Sequence, residues 1–179
     1  MAGRLGQSEF GQALSLFEPV LPAEVARLIA SPSARNSAMP EQPHRPPRVL
    51  LVDDCPVQLL LGCVLLARWQ IVPELANDGL EAVLLAREQE FDLLLMDVEM
   101  PVLDGLTATR RIRQHEEHRK AERRVPVVAY TANETTLDER TWRESGMDAV
   151  LGKPSPETIM GECLRRWCPD KFKPSRSSP

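Results

Sequence analysis

The stretch LLLMDVEMPVLDG, residues 93 to 105, decides the fold of this 179-residue chain. Its apolar run ends abruptly at Asp97, and a Met-Pro turn and an Asp-Gly step follow. This pattern predicts a buried strand that presents a carboxylate at its carboxyl end and then leaves through a loop. A second run, RVLLVDD at residues 48 to 54, ends in the same way with Asp53 and Asp54. Three acids at the ends of two buried strands indicate a reactive site, because packing alone does not require them.

Short apolar runs alternate with helical patterns from Arg48 onward. The predicted strands are residues 48–53, 71–75, 92–97, 126–131 and 148–152. The predicted helices are residues 56–68, 79–89, 105–119, 134–145 and 156–167. Because the strand runs are continuously apolar, we expect an α/β fold whose parallel sheet is covered by helices on both faces. Five such units predict a flavodoxin-like (βα)5 doubly wound sheet with the strand order 2-1-3-4-5.

The composition divides the chain into three parts. Residues 1–47 contain seven of the sixteen prolines, and we predict a Pro-rich extension that is partly helical or disordered. Residues 48–168 carry the alternating pattern and are predicted to form the folded domain. Residues 169–179 are polar and rich in Pro and Ser, which predicts a disordered tail.

Charge and hydropathy argue against several classes of protein. The net charge of −4 does not favour binding to nucleic acid. No apolar run approaches the roughly 20 residues that a membrane span needs. The amino terminus lacks the pattern of a signal peptide, so we expect a cytoplasmic protein with no membrane contact. The four cysteines form no CxxC pair and suggest no zinc site.

Polar side chains follow four of the predicted strands, and these are Asp53, Asp54, Asp97, Thr131 and Lys153. In the order 2-1-3-4-5 these strand ends converge at one edge of the sheet. Clustered carboxylates repel one another, and a ligand set of oxygens alone favours a hard cation such as Mg²⁺. A carboxylate there can accept a phosphoryl group. Lys153 can pair with the phosphoryl oxygens, and the Thr131 hydroxyl can donate to one of them.

Four motifs together resemble the receiver domain of two-component response regulators, and they are VLLVDD, LLLMDVEMPVLDG, VPVVAYTAN and GMDAVLGKP. Their wording is most like that of receivers in hybrid histidine kinases and phosphorelays. The resemblance implies that Asp97 is the phosphoacceptor, Thr131 the switch hydroxyl and Lys153 the phosphate-pairing lysine. It also implies a cis bond between Lys153 and Pro154. The implied Mg²⁺ ligands are Asp53, Asp54, Asp97 and the backbone carbonyl of Glu99.

No output module is visible after the last predicted helix, so we expect a stand-alone receiver. The resemblance implies that it takes its phosphoryl group from a histidine kinase or a histidine phosphotransfer protein. Phosphorylation would switch contacts with a downstream protein target. We expect a switch that phosphorylates and dephosphorylates itself rather than a turnover enzyme.

The chain departs from the family at one position of the fifth strand. Many receivers have an aromatic residue there, and this chain has Val150. One alternative is a receiver-shaped binding module that is never phosphorylated. Another is a phosphatase of the haloacid-dehalogenase class, which wants Asp-x-Asp where this chain has Asp97 and Glu99. The charged run RRIRQHEEHRKAERR, residues 110–124, interleaves glutamates with its basic residues and is expected to be a solvated helix end rather than a nucleic-acid site.

Overall fold

The computed structural model describes residues 46–135, 137–169 and 171. Within them, five strands alternate with five helices: β1 (Val49–Val52), α1 (Pro56–Ala67), β2 (Glu74–Ala76), α2 (Gly79–Glu88), β3 (Leu93–Met96), α3 (Gly105–His118), β4 (Val127–Thr131), α4 (Glu139–Ser145), β5 (Ala149–Gly152) and α5 (Glu157–Trp167). Most of the predicted extension, residues 1–47, and of the predicted tail, residues 169–179, lies outside the described residues. No helix in the described part is long and apolar enough to cross a membrane.

The sheet has the predicted topology. All four strand pairs are parallel, and the order is β2-β1-β3-β4-β5. Val52 is paired with Met96, and Thr131 is paired with Gly152. The residues that follow these strand ends therefore lie beside one another at one edge of the sheet. This arrangement confirms the flavodoxin-like doubly wound fold.

Two apolar layers hold the sheet between its helices. Leu51 and Leu95 face a layer completed by α1 and α5, whereas Leu50 and Leu94 face a layer completed by α2, α3 and α4. Each of these four leucines is at most 1% exposed. Because both faces are covered, β1 and β3 are apolar and buried at every position, which explains their unbroken runs in the sequence. Full burial of a leucine side chain contributes about 1.5–3 kcal/mol to stability.

The starts of two elements differ from the prediction by more than one residue. Strand β2 begins at Glu74 rather than at residue 71, because Pro73 has no N–H to give to a sheet ladder. Helix α4 begins at Glu139 rather than at residue 134. Asp138 caps it by accepting a hydrogen bond from the Thr141 amide at 2.9 Å. Residues 132–135 form a turn instead, and this turn lies next to the candidate site.

The end of the sheet away from Asp97 is held by a buried cation. Arg113 on α3 is only 8% exposed, so the charge of this residue is buried rather than solvated as predicted for the run. Its guanidinium donates to the carbonyls of Val125 at 2.8 Å and Gly146 at 2.9 Å. It also pairs with Glu116 at 2.8 Å and Asp148 at 2.9 Å. These bonds tie α3 to the connections that enter β4 and β5.

Candidate functional site

The three predicted carboxylates meet at the carboxyl ends of β1 and β3. The Asp97 amide donates to the Val52 carbonyl at 3.0 Å, which places Asp97 beside the residues that follow β1. One carboxylate oxygen from each of Asp53, Asp54 and Asp97 lies within 4.8 Å of the other two. Asp53 is buried, Asp97 is partly buried and Asp54 is exposed. The cluster therefore opens to solvent on the Asp54 side.

Lys153 joins this cluster from the end of β5. Its side chain is only 3% exposed, and its ammonium donates to Asp53 Oδ2 and lies 3.2 Å from Asp97 Oδ2. The Lys153 amide donates to the Thr131 carbonyl at 2.9 Å, which fixes the start of the loop after β5. The Lys153–Pro154 bond is cis, as the family resemblance implied. The structure thus brings the predicted lysine onto two of the three predicted acids.

Backbone amides orient two of the carboxylates. The Cys55 amide donates to Asp53 Oδ1 at 2.9 Å, and the Val98 amide donates to Asp97 Oδ1 at 2.8 Å. Each bond turns one carboxylate oxygen towards the protein. Neither amide could be recognised from the sequence, since any residue type supplies an N–H.

Burial is the main influence on the Asp97 carboxylate and raises its pKa above the ordinary value. The Lys153 ammonium lowers the pKa, the nearby Asp53 raises it further, and the Val98 amide lowers it. Three carboxylates and one ammonium leave an excess of two negative charges on the cluster. A divalent cation would neutralise that excess. The ligand atoms within the cluster are all oxygens, which fits Mg²⁺.

Thr131 and Glu99 are linked through Asn133. Thr131 is 2% exposed, and its Oγ1 accepts a hydrogen bond from the Asn133 amide at 3.2 Å. The Asn133 side chain donates to Glu99 Oε1 at 2.9 Å. The loops after β3 and β4 are therefore joined beside the carboxylate cluster. The Glu99 side chain serves this contact, while the role of its backbone carbonyl as a metal ligand stays a prediction.

Gly105 is required for the shape of the site, and the Asp-Gly step in the sequence was its signal. A Cβ at Gly105 would lie 1.9 Å from the Asp97 carbonyl oxygen. The Gly105 amide donates to the Val98 carbonyl at 3.0 Å, so α3 begins directly against the strand end that carries Asp97. No other residue type allows this close approach.

Residues 49–164 match the family model of the response regulator receiver domain. The chain belongs to this receiver family. Over 143 residues it is 38% identical to the sensor protein GacS of Pseudomonas syringae pv. syringae, a match that covers 80% of this chain and 16% of GacS. This receiver therefore spans only a small part of that relative's length.

Solved receiver domains share the fold. That of sensor histidine kinase PA1611 from Pseudomonas aeruginosa, which has magnesium coordinated in its active-site cleft, is 37% identical with a TM-score of 0.61. The match covers 69% of this chain and 98% of that one. A second match is 32% identical with a TM-score of 0.60 and covers 70% and 93% of the two chains. It comes from the co-crystal of the Saccharomyces cerevisiae histidine phosphotransfer protein Ypd1 with the receiver domain of its response regulator Ssk1.

Proposed function

We propose that this receiver accepts a phosphoryl group on Asp97 in a reaction that requires Mg²⁺. The observation that carries the proposal is the convergence of Asp53, Asp54 and Asp97 within 4.8 Å, with Lys153 bound to Asp53 and 3.2 Å from Asp97. The donor is the phosphohistidine of a histidine kinase or a histidine phosphotransfer protein. The complex of Ypd1 with the Ssk1 receiver supports a donor of this kind.

Four oxygens of this chain would hold the metal: carboxylate oxygens of Asp53, Asp54 and Asp97, and the backbone carbonyl of Glu99. When bound, Mg²⁺ offsets the negative charge on the phosphoryl oxygens during transfer. Asp54 is exposed, so the metal can enter from solvent. The PA1611 receiver, with magnesium in its cleft, supports this choice of metal.

Asp97 acts as the nucleophile in the transfer. One of its carboxylate oxygens bonds to phosphorus while the phosphorus–nitrogen bond of the phosphohistidine breaks and its electron pair stays on the imidazole. The Val98 amide keeps the Asp97 carboxylate oriented. Lys153, already within 3.2 Å of the Asp97 carboxylate, pairs with a phosphoryl oxygen after transfer.

The phosphorylated state changes contacts with other proteins. The Thr131 hydroxyl turns to a phosphoryl oxygen and releases the Asn133 amide, which alters the loop after β4. The donor docks beside the site on the first turns of α1, where Val57 is 60% and Leu61 is 52% exposed. Hydrolysis returns the domain to its first state, so the protein is a switch rather than a turnover enzyme.

Beryllofluoride, which mimics a phosphoryl group on an aspartate, tests the proposal. The full chain should bind it only when Mg²⁺ is present, and Asp97→Asn should abolish this binding. Asp138→Asn is the matched control, because asparagine caps a helix about as well as aspartate and Asp138 only caps α4. Unchanged binding in Asp97→Asn would refute the proposal. A wild-type chain that binds no beryllofluoride would instead favour an unphosphorylated binding module.

A further inference from the structure

The end of β5 carries no side chain on the face that packs towards α4. Side chains alternate along a strand, so Gly152 faces the same side as Val150, which packs against the apolar layer of α2, α3 and α4. Leu151 faces the opposite layer, with α1 and α5. Val150 has a short side chain and Gly152 has none. These two residues therefore leave room for the side chain of another residue on this face, beside the candidate site.

The carboxylate of Glu134 occupies that space. A Cβ at Gly152 would lie 2.2 Å from Glu134 Oε2, 2.3 Å from its Cδ and 2.6 Å from its Oε1. The three nearest atoms all belong to this one carboxylate. Glu134 therefore rests directly on the backbone of Gly152, in the volume that a side chain at residue 152 would take. We call this arrangement the Glu134 seat.

The Glu134 seat is connected to the proposed switch hydroxyl by a short path. Thr131 pairs with Gly152 across β4 and β5, and its Oγ1 accepts from the Asn133 amide at 3.2 Å. Glu134 is the next residue in the chain. Any movement of Thr131 that releases the Asn133 amide frees the backbone that positions Glu134. The seat itself is a contact of an exposed side chain, so a small change in the loop can undo it.

We propose that Glu134 is the side chain that reports phosphorylation on this face of the domain. In the unphosphorylated state it rests on Gly152. When the Thr131 hydroxyl turns to the phosphoryl group, the loop moves and the carboxylate leaves the seat. A protein that binds this face of the phosphorylated domain would contact the backbone of Gly152 directly. The face would also carry one negative charge fewer, because the Glu134 carboxylate has moved away. This inference rests on the proposed function and adds to it the residue through which the change reaches the surface.

Gly152→Ala tests the seat directly. Among the described glycines only Gly146 has a positive φ, so alanine fits the backbone conformation at residue 152. The three atoms nearest to its methyl group would all belong to the Glu134 carboxylate. We expect the amides of residues 133–135 to exchange hydrogen faster in this variant. Because the unphosphorylated state loses a contact, apparent affinity for beryllofluoride with saturating Mg²⁺ should rise about twofold to fivefold, the range expected from one surface contact.

A double-mutant cycle tests whether Gly152→Ala and Glu134→Ala act through the same contact. Glu134→Ala should raise the beryllofluoride affinity as Gly152→Ala does, and the double variant should show no further rise, because both changes remove one contact. Thr135→Ala, a change to the exposed neighbour in the same turn, is the matched control and should leave the affinity unchanged.

Two outcomes overturn the inference, and they are distinct from failure of the proposed function. If beryllofluoride binds the wild type but binds every variant equally, Glu134 does not report the switch. If the two single changes add in the double variant, they do not act through one contact. If beryllofluoride does not bind the wild type at all, the proposed function itself fails, and the reporting role of Glu134 fails with it.

Discussion

Val102 adopts a left-handed backbone conformation in the loop that follows Asp97. Its φ is 67°, and the Leu103 amide donates to the Pro101 carbonyl at 2.7 Å across it. A β-branched residue is rarely found in this region, because its Cβ crowds the backbone. Its side chain is 78% exposed, so packing gives little in return. The strain lies in the loop that connects Asp97 to α3, next to the candidate site.

Replacement of Val102 by glycine should therefore stabilise the domain. We expect the free energy of unfolding to rise by about 0.5–1 kcal/mol, since relief of left-handed strain exceeds the entropy that glycine adds to the unfolded chain. Urea denaturation measures the change. Val72→Gly is the control, because Val72 is 65% exposed and is not among the residues with a positive φ. Equal or greater stability in Val72→Gly would contradict this explanation.

At the scale of single elements, helix α3 depends on Asp104. The Asp104 carboxylate accepts from the Thr107 amide and from the Thr107 hydroxyl, each at 2.8 Å. Partial burial acts to raise the Asp104 pKa, but these hydrogen bonds, together with the Asp104 amide and the nearby Arg110, hold the pKa below its ordinary value. A lowered pKa in the folded state means that the ionised cap contributes stability above the pKa of the unfolded chain. That contribution is lost as the pH falls through the lower folded pKa.

Asp104→Ala should accordingly cost about 1 kcal/mol of stability at neutral pH. The difference from wild type should shrink as the pH falls below about 4, where the unfolded carboxyl becomes protonated. Asp104→Asn should retain most of the stability, and it should lack this pH dependence because an amide caps without ionising. Urea denaturation at several pH values measures all three proteins. A constant difference between wild type and Asp104→Ala across the range would show that the charge of the cap has no role.

The elements differ in how well the sequence predicted them. Strands β1, β3 and β4 were found because burial on both faces leaves an uninterrupted apolar run that ends at a polar residue. Strand β2 was misplaced because Pro73 interrupts its run. The start of α4 was misplaced because residues 134 and 135 form a turn and Asp138 caps the helix. Asp53, Asp97 and Lys153 could be predicted from strand ends. The Glu134 seat could not, since it depends on the path of that turn and on the missing side chain of Gly152.

At the scale of the whole molecule, the two ends of the sheet serve different purposes. At the amino ends of β4 and β5, the buried Arg113 forms ion pairs with the carboxylates of Glu116 and Asp148. These charges are balanced, so this end of the sheet is rigid. At the carboxyl ends, three carboxylates face a single lysine. Repulsion there opposes folding unless a cation is bound. Global stability should therefore depend on Mg²⁺, although the proposed metal site involves only a few residues.

Mg²⁺ should raise the unfolding temperature of the full chain, and the gain should grow with the logarithm of its concentration above the dissociation constant. When the Mg²⁺ concentration is a hundred times that constant, the free energy of unfolding rises by about 2.7 kcal/mol. Asp54→Asn should remove most of this dependence by deleting one carboxylate. In EDTA the same variant should be at least as stable as wild type, because Asp54 is exposed and its charge repels Asp53 and Asp97.

Asp138→Asn is the control and should keep the full response to Mg²⁺. Equal responses in Asp54→Asn and wild type would place the cation elsewhere. A loss of stability in EDTA would show that Asp54 supports the fold rather than the metal.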